Sequence, residues 1–277
     1  NYADALKDAE AALASTSSVP YSSAAVSKPT FIDIEDASWM WGILITDKDR
    51  VSTTGICNFP SHMGSLNYGY ASVGGWRRIS PKLYNQIPES DVRKGWFLDD
   101  TGVSVNLPAA AQAYITKKGA PVYTQVKYGP MNDEWGSNNN ATDVILMRVE
   151  EMYLIKAEAQ AMNNDVSGGV NTLNSFVNTY RDPSYKCTAT TGEAVQEAVW
   201  HQRRIEFWGE GLAYFDIMRL NKGVNRLGCG FPKTAVFNIA AGDPVQIYSI
   251  PNKEVQYNPL LENNPLVSAP TPIPDEE

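Results

Sequence analysis

Residues 193–222 read EAVQEAVWHQRRIEFWGEGLAYFDIMRLNK, and the interpretation of the whole chain starts from this stretch. Apolar positions recur every three or four residues, which is typical of a helical surface buried on one side. That stripe consists of Val195, Ala198, Gln202, Ile205, Trp208, Leu212 and Phe215. The residues expected on the opposite, polar side are Glu193, Arg203, Arg204, Glu206 and Glu210. Gly209 and Gly211 interrupt the pattern, so the stretch predicts two helices that meet at a glycine corner.

Length and composition favour an ordinary globular protein. The 277 residues can bury a sizeable core, with 43% hydrophobic and 19% charged residues. No apolar run approaches the roughly 18 residues that a membrane span needs. The formal charge of −8 argues against a nucleic-acid partner, because a phosphate-binding surface needs clustered Lys and Arg. Neutral ligands fit this composition better.

Cysteine and histidine usage gives no support to metal-based or nucleophilic chemistry. Cys57, Cys187 and Cys229 lie far apart without a CxxC spacing, and whether any two of them are bonded stays open. His62 and His201 are the two histidines, and the chain has no GxSxG, HExxH or phosphate-binding glycine motif. We therefore expect no cofactor and no metal. A pair of carboxylates acting as a glycosidase leaves no spacing signature, so that minor alternative stays open.

The first half of the chain predicts one helix followed by irregular structure. Residues 1–18 predict a helix with a small-residue stripe, interpreted as the remnant of a helical repeat. Residues 19–142 predict an irregular, aromatic-rich region that binds the ligand, with strand candidates FIDI at 31–34 and WMWGILIT at 39–46. Trp39 and Trp41 alternate within the second candidate, so one of them is expected to face inward.

Helical periodicity returns after this region. Residues 143–265 predict a helical-repeat framework, in which Asp143 is expected to cap the first helix. One stripe consists of Leu146, Val149, Tyr153, Ala157 and Ala161, and the next of Val170, Leu173, Phe176, Val177 and Tyr180. Two consecutive helical hairpins result, with a spacing near the roughly 34 residues of tetratricopeptide repeats, although the consensus tryptophan is missing. Residues 266–277 are poor in large apolar side chains and predict a disordered tail.

Several blocks of this sequence resemble, in the same order, the SusD/RagB family. They are IPESDVRKGWF at 87–97, LMRVEEMYLIKAEAQAM at 146–162, TLNSFVNTYR at 172–181, RRIEFWGEGLAYFDIMR at 203–219 and YSIPNKEVQYNPLLENNP at 248–265. Asp91 and Arg93 form the D-x-R pattern of the first block.

The chain also departs from the family pattern at a few positions. Gln202 stands where a glutamate is usual, Leu212 and Ala213 replace a common His-Arg, and Leu266 and Val267 replace a final Gly-Tyr. These departures bear on the subfamily and leave the resemblance itself intact.

The resemblance implies a mainly α, SusD-like fold, in which tetratricopeptide-like helical hairpins support an irregular loop-rich region with short strands. It also implies a non-enzymatic, surface-exposed lipoprotein of the outer membrane that captures oligosaccharide and passes it to a SusC-like TonB-dependent transporter. A peptide-binding, RagB-like protein is the alternative, and a cytosolic helical-repeat scaffold is a more remote one. Family members carry a lipidated amino-terminal cysteine and further repeat helices, so we expect this chain to be a carboxyl-terminal portion, with its lipid anchor upstream.

A glycine-spaced loop contains the candidate ligand-binding residues Asn67, Tyr68, Tyr70, Trp76 and Arg77. A sugar ring presents C–H groups on a face and hydroxyls around its edge, so its site needs a flat aromatic platform with flanking hydrogen-bonding groups. This loop supplies both. The competing interpretation of each aromatic residue is a place in the core.

Charged residues interleaved along the helices are interpreted as a structural framework. They are Arg148, Glu151, Arg203, Arg204, Glu206, Asp216 and Arg219. The same residues could be mistaken for a catalytic constellation, but ion pairs between helices are the commoner use of such a pattern. We expect them to join adjacent hairpins and expect ligand binding elsewhere.

Overall fold

The computed structural model describes residues 1–49, 58–265 and 267–271. The described chain divides into a larger compact unit, Asn1–Ile79 with Leu83–Glu210, and a smaller unit, Ser80–Lys82 with Gly211–Glu277. Cys57 and most of the predicted disordered tail lie outside the described residues. The division into four segments by sequence character stays a prediction.

The fold is mainly α, as the sequence predicts. In chain order the helices are α1 (Tyr2–Ser15), α2 (Ser23–Val26), α3 (Phe59–Met63), α4 (Pro81–Tyr84), α5 (Ala109–Lys117), α6 (Val149–Met162), α7 (Val166–Tyr180), α8 (Gly192–Glu206), α9 (Ala213–Arg219) and α10 (Asn252–Tyr257). Strands β1 (Trp39–Ile43) and β2 (Val144–Arg148) form one antiparallel pair, and β3 (Val224–Asn225) and β4 (Asn238–Ile239) form another. Short 3₁₀ turns occupy Ala71–Val73, Val92–Trp96, Met131–Asp133, Lys233–Ala235 and Pro244–Gln246. No helix in the described ranges has the length and apolarity needed to cross a bilayer.

Helix α6 is the centre of the helical framework, because it packs against α1, α7 and α8. Alanines 157, 159 and 161 of α6 are buried, and small side chains allow neighbouring helices to approach closely. Asp165 caps α7 by accepting a hydrogen bond from the Gly168 amide, and Thr191 caps α8 through the Ala194 amide. The two helices predicted to meet at a glycine corner are α8 and α9.

Two local predictions are wrong for a common reason. Asp143 does not cap α6, which begins five residues later than the helix predicted from it; its carboxylate accepts the amides of Ile34 and Ile45 at 2.8 and 2.7 Å. The FIDI segment is not a strand, because Phe31 has a φ of 62° and Ile34 turns toward Asp143. The aspartate thus fixes an irregular segment by supplying the acceptor that a paired strand would otherwise supply.

The predicted polar side of α8 is also wrong in part. Arg203 and Glu206 are buried in the larger unit, together with the expected apolar positions Val195 and Ile205. A buried charge is costly unless it is paired and hydrogen-bonded, so these residues must face compensating groups. Glu151 is the partner of Arg203, and the partners of Glu206 belong to a buried ion network described below.

Phe31 lies at the centre of the main aromatic core. Its ring makes edge contacts with Tyr21, Trp96 and Tyr128 at centroid distances of 4.9, 5.4 and 6.2 Å. A second apolar cluster consists of Leu66, Leu98, Ala111, Ile115 and Val126. This second cluster lies beneath the glycine-spaced loop and gives that loop a rigid base.

Candidate functional site

Backbone hydrogen bonds fix the loop that holds the predicted ligand-binding residues. The Tyr68 amide donates to the Ser137 carbonyl at 2.7 Å. The Tyr70 amide donates to Ser61 Oγ at 3.0 Å. Because both amides are anchored, the two tyrosines are held by their backbone and do not depend on a ligand for their position.

Tyr68 and Tyr70 present their rings to solvent, with 48% and 44% of each residue exposed. The imidazole of His62 stacks on Tyr70 at a centroid distance of 4.8 Å and an interplanar angle of 24°. The Arg77 guanidinium lies 5.6 Å from the Tyr70 ring centroid. Its Nη1 donates to the Gly75 carbonyl at 2.9 Å, which orients the guanidinium beside the ring.

A second cation, Lys118, lies over the other exposed ring, that of Tyr68. Lys118, at the end of α5, places Nζ 5.7 Å from the centroids of both Tyr68 and Tyr114. Tyr114 is half-buried and donates its hydroxyl to the Asn67 carbonyl at 3.3 Å, so α5 and the loop are joined at this point. We call the exposed rings of Tyr68 and Tyr70, with Arg77 and Lys118, the tyrosine platform.

Asn67 and Trp76 lie behind the tyrosine platform. Asn67 is 2% exposed and its side-chain amide donates to Asn140 Oδ1. Trp76 is half-buried and packs against the second apolar cluster. Of the five residues predicted to bind ligand, these two therefore support the loop, Tyr68 and Tyr70 form its outer surface, and Arg77 is half-buried beside Tyr70.

One of the two tryptophans of β1 faces inward, as expected; residues two apart in a regular strand share a face, and an irregularity in the β1–β2 register between Trp39 and Trp41 separates them. Trp39 is 6% exposed within the aromatic core, whereas Trp41 is 63% exposed. Trp39 donates its indole N–H to the Tyr21 hydroxyl at 2.6 Å, which satisfies its one polar group in the core.

A further candidate site is a cavity lined by residues other than those of the tyrosine platform. It is a groove of about 510 Å³ whose lining includes Glu89, Lys94, Asp99 and Tyr84. Burial, followed by nearby Asp99, raises the pKa of Tyr84 to about 12. Lys94 Nζ lies over the Tyr84 ring at 5.1 Å and pairs with Glu89, and Tyr84 is only 8% exposed, so this ring presents little open face to the groove. The groove encloses more space than the platform does, but its side chains suit a sugar ring less well.

Four basic and four acidic side chains form a buried network in the larger unit. The basic ones are Arg93, Lys127, Arg148 and Arg181, and the acidic ones are Asp91, Glu150, Glu206 and Glu210. The charges balance, which is the condition under which buried ions are tolerated. We call these eight residues the buried ion network.

Glu206 of α8 is the member that pairs with three guanidiniums. Its carboxylate accepts from Arg93 at 3.1 Å, from Arg148 at 2.6 Å and from Arg181 at 2.8 Å. Burial opposes its charge, but the three guanidiniums, Arg181 first, hold its pKa well below the ordinary value. Arg93 also donates to Gln202 Oε1, so the amide at this family-variant position completes the network without adding a charge.

Lys127 is fully buried against the aromatic core. Its Nζ donates to the Glu206 and Trp208 carbonyls at 3.0 and 3.1 Å and to Glu210 at 2.5 Å. Desolvation lowers its pKa to about 8, an effect that Glu210 partly offsets. This lysine joins the irregular region to the end of α8.

The remaining predicted framework residues make simpler contacts. Arg203 pairs with Glu151 at 3.2 Å, which joins α8 to α6. The Arg204 guanidinium lies 5.1 Å from the Trp200 ring centroid. In the smaller unit, Asp216 and Arg219 pair at 2.8 Å within α9.

Sequence reasoning missed several partners of these groups. Lys127, Arg181 and Glu150 carry no local pattern that separates a buried charge from an exposed one. His62 and Lys118 could have been proposed for the platform only by placing α3 and α5 beside the loop. Within the described ranges, no three His, Cys, Asp or Glu side chains are grouped so as to hold a metal ion.

Comparison with known proteins identifies the family. The SusD family model matches residues 93–266, more than half of the chain. The chain therefore belongs to the SusD family. No curated protein sequence matches it.

Solved structures share the fold. A SusD superfamily protein from Bacteroides thetaiotaomicron VPI-5482 is 22% identical with a TM-score of 0.73, over 96% of this chain and 57% of that chain. A SusD-like carbohydrate binding protein from Bacteroides vulgatus ATCC 8482 is 23% identical with a TM-score of 0.62, over 91% and 46%. Surface glycan-binding protein A from Bacteroides thetaiotaomicron is 17% identical with a TM-score of 0.63, over 95% and 59%. The chain spans about half the length of these structures, and at these identities the likeness establishes the fold.

Proposed function

We propose that this protein captures oligosaccharide by binding alone, at the tyrosine platform. The observation that carries the proposal is the pair of exposed, backbone-anchored rings of Tyr68 and Tyr70 in a chain of the SusD family. A tyrosine face covers the C–H side of a sugar ring, and the flanking Arg77 and Lys118 donate to its oxygens. The descriptions of two solved relatives as carbohydrate- or glycan-binding proteins support this assignment.

The protein acts, in this proposal, as a surface lipoprotein of the outer membrane. It passes the captured glycan to a SusC-like TonB-dependent transporter. Family membership supports this role. Affinity purification of the tagged protein from native outer membranes is the test: a TonB-dependent transporter should copurify, and its absence under mild detergent would contradict the transfer step.

The electrostatics of the buried ion network argue against Glu206 and Glu210 as the acid of a glycosidase. Glu206 and Glu210 face guanidiniums or Lys127, which hold both carboxyl pKa values below the ordinary range. A carboxyl group in that state is a poor proton donor at neutral pH, and a glycosidase needs one such donor. Incubated glycans should accordingly be recovered unchanged in mass.

Calorimetric titration with a panel of oligosaccharides tests the binding function. Tyr68→Ala and Tyr70→Ala should each weaken binding roughly threefold to tenfold, since an aromatic contact contributes about 0.5–1.5 kcal/mol beyond its area. Tyr257→Ala is the matched control, because this tyrosine of α10 is 85% exposed and lies in the smaller unit. No binding of any glycan in the panel would contradict the proposal, and binding of peptides instead would favour the RagB-like alternative.

A further inference from the structure

The tyrosine platform carries two positive charges, those of Arg77 and Lys118. Among the described residues, neither Arg77 nor Lys118 forms an ion pair, whereas Arg93, Arg148 and Arg181 each do. The chain as a whole has 31 acidic and 23 basic residues. In a chain with this excess of acidic residues, a basic side chain is expected to pair with a carboxylate. Arg77 and Lys118, which lie beside the exposed rings of Tyr70 and Tyr68, pair with none among the described residues.

The geometry places each cation over a tyrosine ring, at 5.6 and 5.7 Å from the ring centroid. Arg77 is oriented by the Gly75 carbonyl and lies 3.4 Å from His62 Nδ1, while its guanidinium stays 5.6 Å from the Tyr70 centroid. Lys118 is exposed at the end of α5 and lies equally far from Tyr68 and Tyr114. A cation held this way keeps donors available to a group at the edge of a stacked sugar.

We propose that the platform selects acidic oligosaccharides, with uronic-acid residues as the chemical class. This inference rests on the proposed glycan-binding function and specifies its ligand. The carboxylate of a uronic acid projects from the edge of the ring, so a ring stacked on tyrosine brings it toward a neighbouring cation. The guanidinium of Arg77 matches a carboxylate in two parallel hydrogen bonds, and Lys118 adds a point charge. A neutral hexose leaves both charges without a counterion.

The test compares glycans that differ only in charge. Oligogalacturonides are titrated beside their methyl esters, and a sulfated carrageenan oligosaccharide is titrated beside its desulfated form. The galacturonide should bind at least about tenfold more tightly than its ester at low ionic strength, and the ratio should shrink as salt is added. The sulfated pair shows whether the site requires a carboxylate or accepts any anionic group.

Variants that each remove one positive charge show which residues cause the preference for acidic glycans. Arg77→Gln and Lys118→Gln should each reduce the acid-to-ester ratio roughly threefold to tenfold, because each substitution weakens binding of the acid more than binding of the ester. Lys117→Gln is the matched control: it removes the same charge from the neighbouring, exposed residue of α5, and it should alter the ratio less than about twofold. Circular dichroism confirms folding, and Lys118→Gln suffices for the test if Arg77→Gln fails to fold.

The outcomes separate this inference from the function on which it rests. Equal or tighter binding of the neutral ester, or an unchanged ratio in Lys118→Gln, overturns the acidic preference and leaves glycan capture intact. A preference confined to the sulfated pair replaces uronic acid with sulfated sugar as the ligand class. If none of the four glycans and none of the wider panel binds, glycan capture itself is contradicted.

Discussion

Glu206 is the residue on which the buried ion network depends most. Glu206→Gln keeps the shape of the side chain but leaves Arg93, Arg148 and Arg181 without their shared anion. Uncompensated buried charge costs about 3–5 kcal/mol, so the free energy of unfolding should fall by that amount. Urea titration followed by circular dichroism measures the change.

Glu89→Gln is the control for this substitution, because Glu89 pairs with Lys94 at the surface. It should leave the urea midpoint almost unchanged, since exposed ion pairs contribute little. A loss for Glu206→Gln no larger than that of the control would show that the network is not essential to stability.

The buried ion network should make the stability of the protein depend on pH in the acid range. The folded-state pKa values of Glu206 and Glu210 lie below the ordinary 4.5, so the unfolded state binds more protons as the pH falls. Their contribution to stability is fully present above pH 4.5 and is lost as the pH falls through the folded pKa values. Between pH 7 and pH 3 the wild-type urea midpoint should therefore drop more steeply than that of Glu206→Gln; parallel curves would contradict the assignment.

Gly75 keeps space for the Tyr70 ring. A Cβ at this position would lie 2.5 Å from Cε1 of Tyr70 and 2.9 Å from its carbonyl oxygen, closer than atoms pack. Gly75→Ala should displace the ring and weaken glycan binding by about as much as Tyr70→Ala does. Combining the two substitutions tests the cause, because the second change should add nothing when both act on one ring. Fully additive losses would show that Gly75 acts by another route.

At the scale of elements, the corner after α8 depends on two glycines in unequal surroundings. Gly209 has a φ of 81° and a hypothetical Cβ 2.7 Å from Met63 Cε, whereas Gly211 has a φ of 84° and open space around it. Either alanine pays about 1–2 kcal/mol for left-handed backbone. Gly209→Ala should cost at least about 1 kcal/mol more, through overpacking against Met63 and Tyr128. Equal costs in urea titration would mean that Met63 moves aside freely.

The helices could be predicted from the sequence because their apolar stripes recur at a helical period. The stripe ending at Tyr180 is such a local signal, and the structure agrees with it in α7. The start of α6 was missed because Asp143 bonds to amides about a hundred residues earlier in the chain. Local pattern cannot distinguish such a distant partner from a cap.

The kinds of residue in the candidate site could be predicted from the sequence, but their arrangement in space could not. The glycine spacing pointed to the loop around Tyr68 and Tyr70, but it could not separate those exposed rings from buried Asn67. The cation at Tyr68 comes from α5, fifty residues later, and only the packing of α5 on the second apolar cluster brings Lys118 there. Burial and long-range charge pairing are properties of the assembled chain.

At the scale of the whole molecule, the two compact units differ in how much apolar surface they bury. Helices α6, α7 and α8 bury many aliphatic and aromatic side chains, and their buried charges are paired. Among the described residues of the smaller unit, Val236 is the one buried apolar side chain, while Phe215, Tyr248 and Leu260 are largely exposed. Because burial of apolar area is the main favourable term in folding, local stability should differ in the same order.

Hydrogen exchange followed by mass spectrometry measures this difference directly. Peptides from α6 to α8 should exchange slowly, at rates that approach those of global unfolding. Peptides from α9 and from the β3–β4 pair should exchange far faster through local opening, because few buried contacts must break to expose their amides. Glu206→Gln provides the internal check: it should accelerate exchange in α6, α7 and α8, whose ends its carboxylate joins. Uniformly slow exchange along the whole described chain would show that the smaller unit draws its stability from something other than its own core.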